Sequence, residues 1–479
     1  MTRRIRFNAF DMNCVAHQSP GLWRHPDDQS HRYKELSYWT DLAKLLEHGH
    51  FDGIFIADVL GTYDVYGGTD IAALRQGAQI PVADPLLLVS AMAAVTEHLG
   101  FGITTGTGFE HPFPFARRLS TLDHLTNGRI GWNVVTGYLP SAARNFGAAD
   151  QLDHDERYNQ ADEYLEVLYK LWEGSWEDDA VVRDAAQGIY VDPAKVHHIG
   201  HRGKHFTVPG IHLSEPSPQR TPVIYQAGAS TRGVRFAAEN AEAIFIAAPS
   251  KRLLAQTVSR IRDALVAAGR DRYSARIYAL ATIITDATDE AARHKHEEYL
   301  SYASVEGGLV FMSGWMGIDL STYDLDDPIG QVESNAIQSA VAAFQEFDDD
   351  GGREWTVRDI GQWAGIGGMG PVFVGSGATV ADLLQEWVDD TDLDGFNLAY
   401  AVTPGSFEDV VRHVVPVLAA RGAYATEYVP GTLRNALFGA GDRLPDEHRG
   451  ARYRIGAAGS TVLPDEVSRP GAVVQTPHA

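Results

Sequence analysis

Eight short apolar runs, at 5–10, 53–57, 101–105, 129–135, 222–227, 243–247, 277–284 and 395–400, alternate along this chain with segments of helical periodicity. The helical segments fall at 36–48, 85–98, 113–125, 155–172, 231–238, 252–268, 379–389 and 407–421. Runs such as GIFIA and AIFIA are apolar at every position, so they suit strands covered on both faces. That is the habit of parallel sheets flanked by helices. Eight strand–helix units are more than an open doubly wound sheet usually carries, and they suit closure, which leaves no edge strand. The expected fold is α/β, a (β/α)8 barrel. It occupies 1–430 as a single domain, with excursions at about 176–220 and 298–370.

The excursions break the alternation. The first is rich in Asp, His, Gly and Pro and reads as short irregular strands. The second carries GGLVFMSGWMG, a helical stretch near 336–347, and the run GIGGMGPVFVG. Residues 431–479 are dense in Pro and Gly and read as an extended tail, partly disordered. With 44 % apolar residues the chain has material for a full core. Its 40 Lys and Arg against 63 Asp and Glu give a net charge of -23. That charge disfavours nucleic acid and anionic membrane as partners. The one cysteine, Cys14, excludes an internal disulfide and a cysteine-built zinc site, and reads as a small buried filler. No apolar stretch is long enough to span a bilayer, and MTRRIRF reads as the approach to a first strand rather than as a signal. The expected compartment is the cytoplasm.

In a barrel of this kind chemistry gathers at the C-terminal ends of the strands. Those positions are rich in hydroxyls, amides and glycine: Asp11, Asp58, the TTGT run from Thr104, NVVT from Asn133, QAGAS from Gln226, and the stretch after Tyr400. A Schiff-base lysine and a pair of strand-end carboxylates are both missing from this set. QAGASTRG is a phosphate candidate: Gly228 permits close approach, Ser230 and Thr231 offer hydroxyls, and a helix N-terminus follows. A capped βα loop is the plainer reading. HDERY opens a helix with His154 and Tyr158 on one face; they are either site residues or an ordinary surface pair. His17 follows the first strand, and Glu110 and His111 follow the third. The three are candidates for acid–base roles or for loop packing. No Walker, GxGxxG or HExxH motif occurs in a supporting context, and no metal site is expected.

The segments LEHGHFDGIFIADVLG, DPLLLVSAMAAVTEHLGFGITTGTGFEHPFPFARRLSTLDHLTNGRIGWNVVTG, HDERY, PSPQRTPVIYQAGAS and DGFNLAY resemble the large component of two-component flavin-dependent monooxygenases. These belong to the bacterial luciferase-like superfamily, in the nitrilotriacetate and dibenzothiophene-sulfone branch. The likeness covers about 5–430. NAFDM, HQSPGLWRHP and DGFNLAYAVTPGSFEDV look most like the dimethyl-sulfide-oxidising members. The resemblance implies a reduced FMN cofactor, a separate NAD(P)H:flavin reductase as partner, O2 and a small organosulfur substrate, and a homodimer or homotetramer. Riboflavin lyases of the same branch, which yield lumichrome, and a non-catalytic flavin-binding barrel are the competing readings. Carried over by motif, Asp58 and Thr104 would lie near the flavin ring, and His154, Tyr158 and Ser230 at its phosphate. Asn133 and Gly137 would be weaker additions. Gly137 stands where relatives commonly carry Ser, a departure that bears on substrate.

Overall fold

The barrel closes. The computed structural model describes residues 3–149, 151–228, 230–329 and 355–456. Its parallel strands are β1 (Arg6–Met12), β2 (Gly53–Ala57), β3 (Gly100–Gly106) and β4 (Ile130–Val135). After two hairpins come β9 (Val223–Ala227), β10 (Ala243–Ile246), β11 (Arg276–Asp286) and β13 (Gly395–Ala399). They pair in the order β10-β9-β4-β3-β2-β1-β13-β11, and β10 pairs with β11 to complete the ring. The hairpins are β5 (Val181–Asp184) with β6 (Ile189–Val191), and β7 (His201–Arg202) with β8 (Thr207–Val208). They occupy the first excursion.

Aromatic rings fill the barrel axis. Phe10 and Phe55 are in register on β1 and β2, with centroids 5.4 Å apart. Phe55 meets Phe245 at 4.2 Å, and Tyr225 stacks on Phe245 at 5.4 Å. The glycines of β3 and β4 follow from this filling. A Cβ on Gly131 would stand 2.2 Å from the Tyr225 ring, so only glycine leaves that ring its place.

The helices wrap the ring as their periodicity demands. Tyr38, Trp39, Leu42, Ala43 and Leu46 form the buried stripe of helix Leu36–His48, which stops at Gly49. The expected helix over 85–98 is shorter, Leu86–Ala93. The buried Arg129 guanidinium donates to the carbonyls of Ala93, Thr96 and Leu99 and so takes up the acceptors a longer helix would use. The last barrel helix is interrupted by a π turn, Val410–Val414, before Val415–Ala420. Pro416 has no N–H to continue the α ladder there.

Two parts of the chain differ from expectation. A ninth strand, β12 (Val372–Ser376), pairs with the C-terminal half of the unusually long β11. It was hidden in the Gly-rich end of the second excursion. Residues 431–456 are not extended: helix Leu433–Phe438, capped by Thr432, plugs the N-terminal end of the barrel. Leu433 and Leu437 join Tyr225, Phe245 and Tyr278 in one cluster. The helix expected near 336–347 and the tail beyond 456 lie outside the described residues. Among those described, no helix is long and apolar enough to cross a membrane.

Candidate active site at the barrel mouth

Tyr158, on the first turns of helix His154–Gly174, faces the N-terminus of helix Thr231–Asn240. Ser230 caps the latter helix, accepting from the Gly233 N–H at 3.0 Å. His154 Nε2 lies 3.3 Å from Ser230 Oγ, and the His154 ring meets the Tyr158 ring at 5.1 Å. A Cβ on Gly233 would stand 2.8 Å from Tyr158 Oη and 3.0 Å from Ser230 Oγ. One on Gly228 would stand 2.7 Å from Gln226 Nε2. The glycines thus keep open a cradle of hydroxyls, an imidazole and free helix N–H groups. Thr231 is the first residue of the helix that points into it. Arg157, next to Tyr158 on the same helix, makes no ion pair among the described residues, and its Nε is buried without an acceptor. Arg232 is held away, pairing with Asp162 and lying over the Tyr158 ring at 5.2 Å. The donor set fits a phosphate monoester.

Along the rim the polar groups continue toward the axis. Thr104 and Asn133 are in register on β3 and β4. Asn133 Nδ2 donates to Thr104 Oγ1 at 2.9 Å, and Asn133 Oδ1 is buried without a partner. Gln226 Oε1 is in the same condition. Buried amide acceptors left open at a mouth suit a ring that brings N–H donors. Beside them an open cavity of about 500 Å³ is lined by Asp58, Leu60, Phe109, Val135, Tyr138 and Leu139, among others. Gly137 also lines it, with φ +74°, where a Cβ would stand 3.3 Å from Gln151 Nε2 and 3.7 Å from the Phe109 ring. Burial, with Asp84 adding its charge, pushes the Asp58 carboxyl up to about 7.

A model of luciferase-like monooxygenases matches residues 13–392. The chain is 53 % identical to a dimethyl-sulfide monooxygenase of Hyphomicrobium sulfonivorans, over 97 % of each chain. It is 50 % identical to a long-chain alkane monooxygenase of Geobacillus thermodenitrificans, over 95 % of this chain and 99 % of that one. The crystal structure of a riboflavin lyase with modified FMN and riboflavin superposes with a TM-score of 0.86. It is 38 % identical, over 95 % of this chain and all of that one.

The chain belongs to the luciferase-like monooxygenase family.

In this monooxygenase eight of the residues expected at the site fall into three groups. His154, Tyr158, Ser230 and Thr231 come together in the cradle, while Thr104 and Asn133 form the rim and Asp58 and Gly137 line the cavity. His17 is buried at the mouth, its ring 4.3 Å from Phe10 on the axis. Burial pushes its imidazole down to about 3, so it stands neutral and serves as a hydrogen-bonding group. Glu110 and His111 stand elsewhere. Glu110 pairs with Arg118 at 2.7 Å, and His111 is exposed, its Nδ1 accepting from the Phe113 N–H at the start of helix Pro112–Leu125.

The monooxygenase also carries a hydroxyl network, from buried Tyr63 and Gln79 to exposed Tyr138, that sequence reasoning passed over. Tyr63 Oη lies 2.5 Å from Tyr138 Oη, donates to Gln79 Oε1 at 3.1 Å, and accepts from Trp315 Nε1 at 3.0 Å. Gln79 Nε2 in turn donates to the His17 carbonyl at 2.9 Å. Tyr138 belongs to both the network and the cavity wall. Phe311 and Trp315 stack on each other at 5.2 Å, and Phe311 meets the Tyr63 ring at 5.4 Å. The available signal was the aromatic content of the loop after β2, where Tyr63 stands. Among the described residues no group of His, Cys, Asp and Glu could hold a metal ion.

Proposed function

We propose that this chain is the oxygenase component of a two-component system. It takes reduced FMN from a separate NAD(P)H:flavin reductase and uses O2 to oxidise and cleave a small, uncharged organosulfur compound of the dialkyl sulfide type. The observation that carries the substrate class is the cavity beside Asp58, Thr104 and Asn133. Its wall is mostly apolar, and among the described residues no cation lines it to receive a polycarboxylate. The relative named for dimethyl sulfide supports the choice. The working protein is placed in the cytoplasm, where NAD(P)H and the reductase are available, as a homodimer or homotetramer.

Bound reduced FMN supplies the two electrons with which O2 delivers one oxygen atom to substrate and one to water. The chain's own residues do the rest. His154, Tyr158, Ser230, Arg157 and the helix N–H groups hold the phosphate. Thr104 and Asn133 fix the ring edge at the rim. Leu60, Phe109, Val135 and Leu139 keep the substrate side dry, which protects a reactive oxygen donor from water. Asp58, near 7, can hold or release a proton at its carboxyl at working pH. Oxygen inserted at the carbon beside sulfur gives a hydroxyalkyl sulfide, which breaks its C–S bond to an aldehyde and a thiol.

The test supplies enzymatically reduced FMN and O2 with dimethyl sulfide, an n-alkane and riboflavin in parallel. Formaldehyde and methanethiol are the expected products. Lumichrome from the riboflavin arm, or an alcohol from the alkane arm, with no thiol from the sulfide, replaces the substrate class. Saturable flavin binding without product in any arm leaves a binding protein.

A further inference from the structure

The basic start of the chain, RRIR, is not used by the mouth. It runs along the opposite face of the barrel. There Arg3, Arg4 and Arg6 meet Arg276 at the foot of β11, and together with Tyr273 and Asp394 they line an open cavity of about 610 Å³. Arg6 pairs with Asp52 at 2.9 Å, Arg3 with Asp392 at 2.9 Å, and Arg276 with Asp394 at 3.1 Å. Asp394 is shared with the buried Arg262, at 2.6 Å, and Arg262 also reaches Asp392 at 3.5 Å. Five guanidiniums therefore face three carboxylates. Arg4 makes no ion pair among the described residues and is exposed.

Such a local surplus is out of character for a chain of net charge -23. Guanidinium forks present paired N–H donors in a plane, the geometry that phosphoryl oxygens accept. The backbone adds to their fixed arrangement. Arg6 and Arg276 both donate to the Leu437 carbonyl at the end of helix Leu433–Phe438, at 3.1 Å and 2.9 Å, which anchors them at the cavity. Tyr273 is 49 % exposed, with the Arg262 guanidinium over its ring at 4.8 Å. Its exposed ring offers a stacking surface for a planar group.

We propose that this arginine-lined cavity binds a small organic polyphosphate, a nucleoside diphosphate in the fullest case, with the phosphates on Arg3, Arg4 and Arg276 and the base on Tyr273. The site lies at the N-terminal ends of the strands, on the far side of the aromatic core from the phosphate cradle.

Calorimetric titration of the full chain, first saturated with FMN so that the cradle is filled, separates the two sites. Inorganic pyrophosphate and ADP are the probes, at low and at physiological salt. One site per chain is expected, weakened severalfold by salt, with ADP binding tighter than pyrophosphate. Arg4→Glu should weaken both probes tenfold or more and leave FMN affinity and the far-ultraviolet circular dichroism spectrum unchanged. Tyr273→Ala should remove only the advantage of ADP. No heat from flavin-loaded protein, or binding that Arg4→Glu leaves intact, overturns the site. Equal affinity for the two probes overturns the nucleoside assignment.

Discussion

At the scale of single residues, the cradle and the cavity make opposite demands on stability. Gly233 sits in a helix, where alanine ordinarily stabilises by about 1 kcal/mol. Its Cβ would, however, occupy the space between Tyr158 Oη and Ser230 Oγ. Gly233→Ala is therefore expected to raise the Kd for FMN tenfold or more, by fluorescence quenching, without lowering the melting temperature of the flavin-free protein. Asp58 carries the complementary cost. Its carboxyl titrates near 7 in the fold against an ordinary value of 3.8. Between these values the folded state binds the extra proton, so stability falls as pH rises through that window. Asp58→Asn removes the loss: the variant should exceed the wild type by about 1–3 kcal/mol in denaturant unfolding at pH 8 and converge on it near pH 4. A constant difference across that range would sink the assignment. HDERY and QAGAS are each local in sequence, but their residues alone left a surface pair and a capped loop open, and only the family resemblance joined them in one site. The Tyr63, Gln79, Tyr138 and Trp315 network was not legible, since its four members come from separate loops and a helix and only the fold joins them. Glu110 and His111 show the converse, with a strand-end position in sequence and a local ion pair and helix start in space.

At the scale of elements, helix Val305–Met316 explains how the second excursion meets the site. Its small residues let it approach closely. A Cβ on Gly308 would stand 2.1 Å from the Gly361 carbonyl oxygen, and one on Gly314 would stand 2.2 Å from the Tyr63 ring. Gly314→Ala must displace that ring and with it the hydroxyl network. The expected result is a kcat lowered tenfold or more with FMN affinity unchanged; equal loss in both would place Tyr63 in cofactor binding instead. Arg129 is the matching case on the barrel wall. Replacing it by alanine takes a donor from four buried carbonyls, those of Ala93, Thr96, Leu99 and Thr126, and should cost about 2–4 kcal/mol in unfolding free energy, with no effect on flavin affinity. The sequence carried the barrel strands and most helices because each buries a periodic stripe. Helix ends set by a distant side chain, as Arg129 sets Leu86–Ala93, leave no local trace. β12 was obscured because a Gly-rich approach precedes it and its partner is only the surplus length of β11.

For the whole molecule, the decisive contact joins its last described segment to its core. Arg434 and Glu242 are each 2 % exposed at the side chain and bond as a fork, at 2.6 Å and 2.8 Å. Arg434 also donates to the carbonyls of Thr221 and Asp442, which ties helix Leu433–Phe438 and the turn after it to the barrel floor. Burial alone would push the Glu242 carboxyl up, but the Arg434 guanidinium beside it more than offsets that and holds it below its ordinary value. The depressed value means the pair contributes stability above the unfolded carboxylate's pKa and loses it only as pH falls through the folded one. Arg434→Met leaves Glu242 charged and buried without its counter-charge, with only the Ile224 N–H still donating to it. The expected cost is about 3–5 kcal/mol at pH 8. That cost should shrink as pH is lowered toward 5, because the orphaned carboxyl then takes up a proton. Pairing the change with Glu242→Met removes the buried charge and should recover most of the loss at every pH. Denaturant unfolding of the single and double variants at pH 5, 6.5 and 8 decides it. A pH-independent penalty shared by the single and double variants would mean that packing of Leu433 and Leu437, rather than the ion pair, seals the barrel floor.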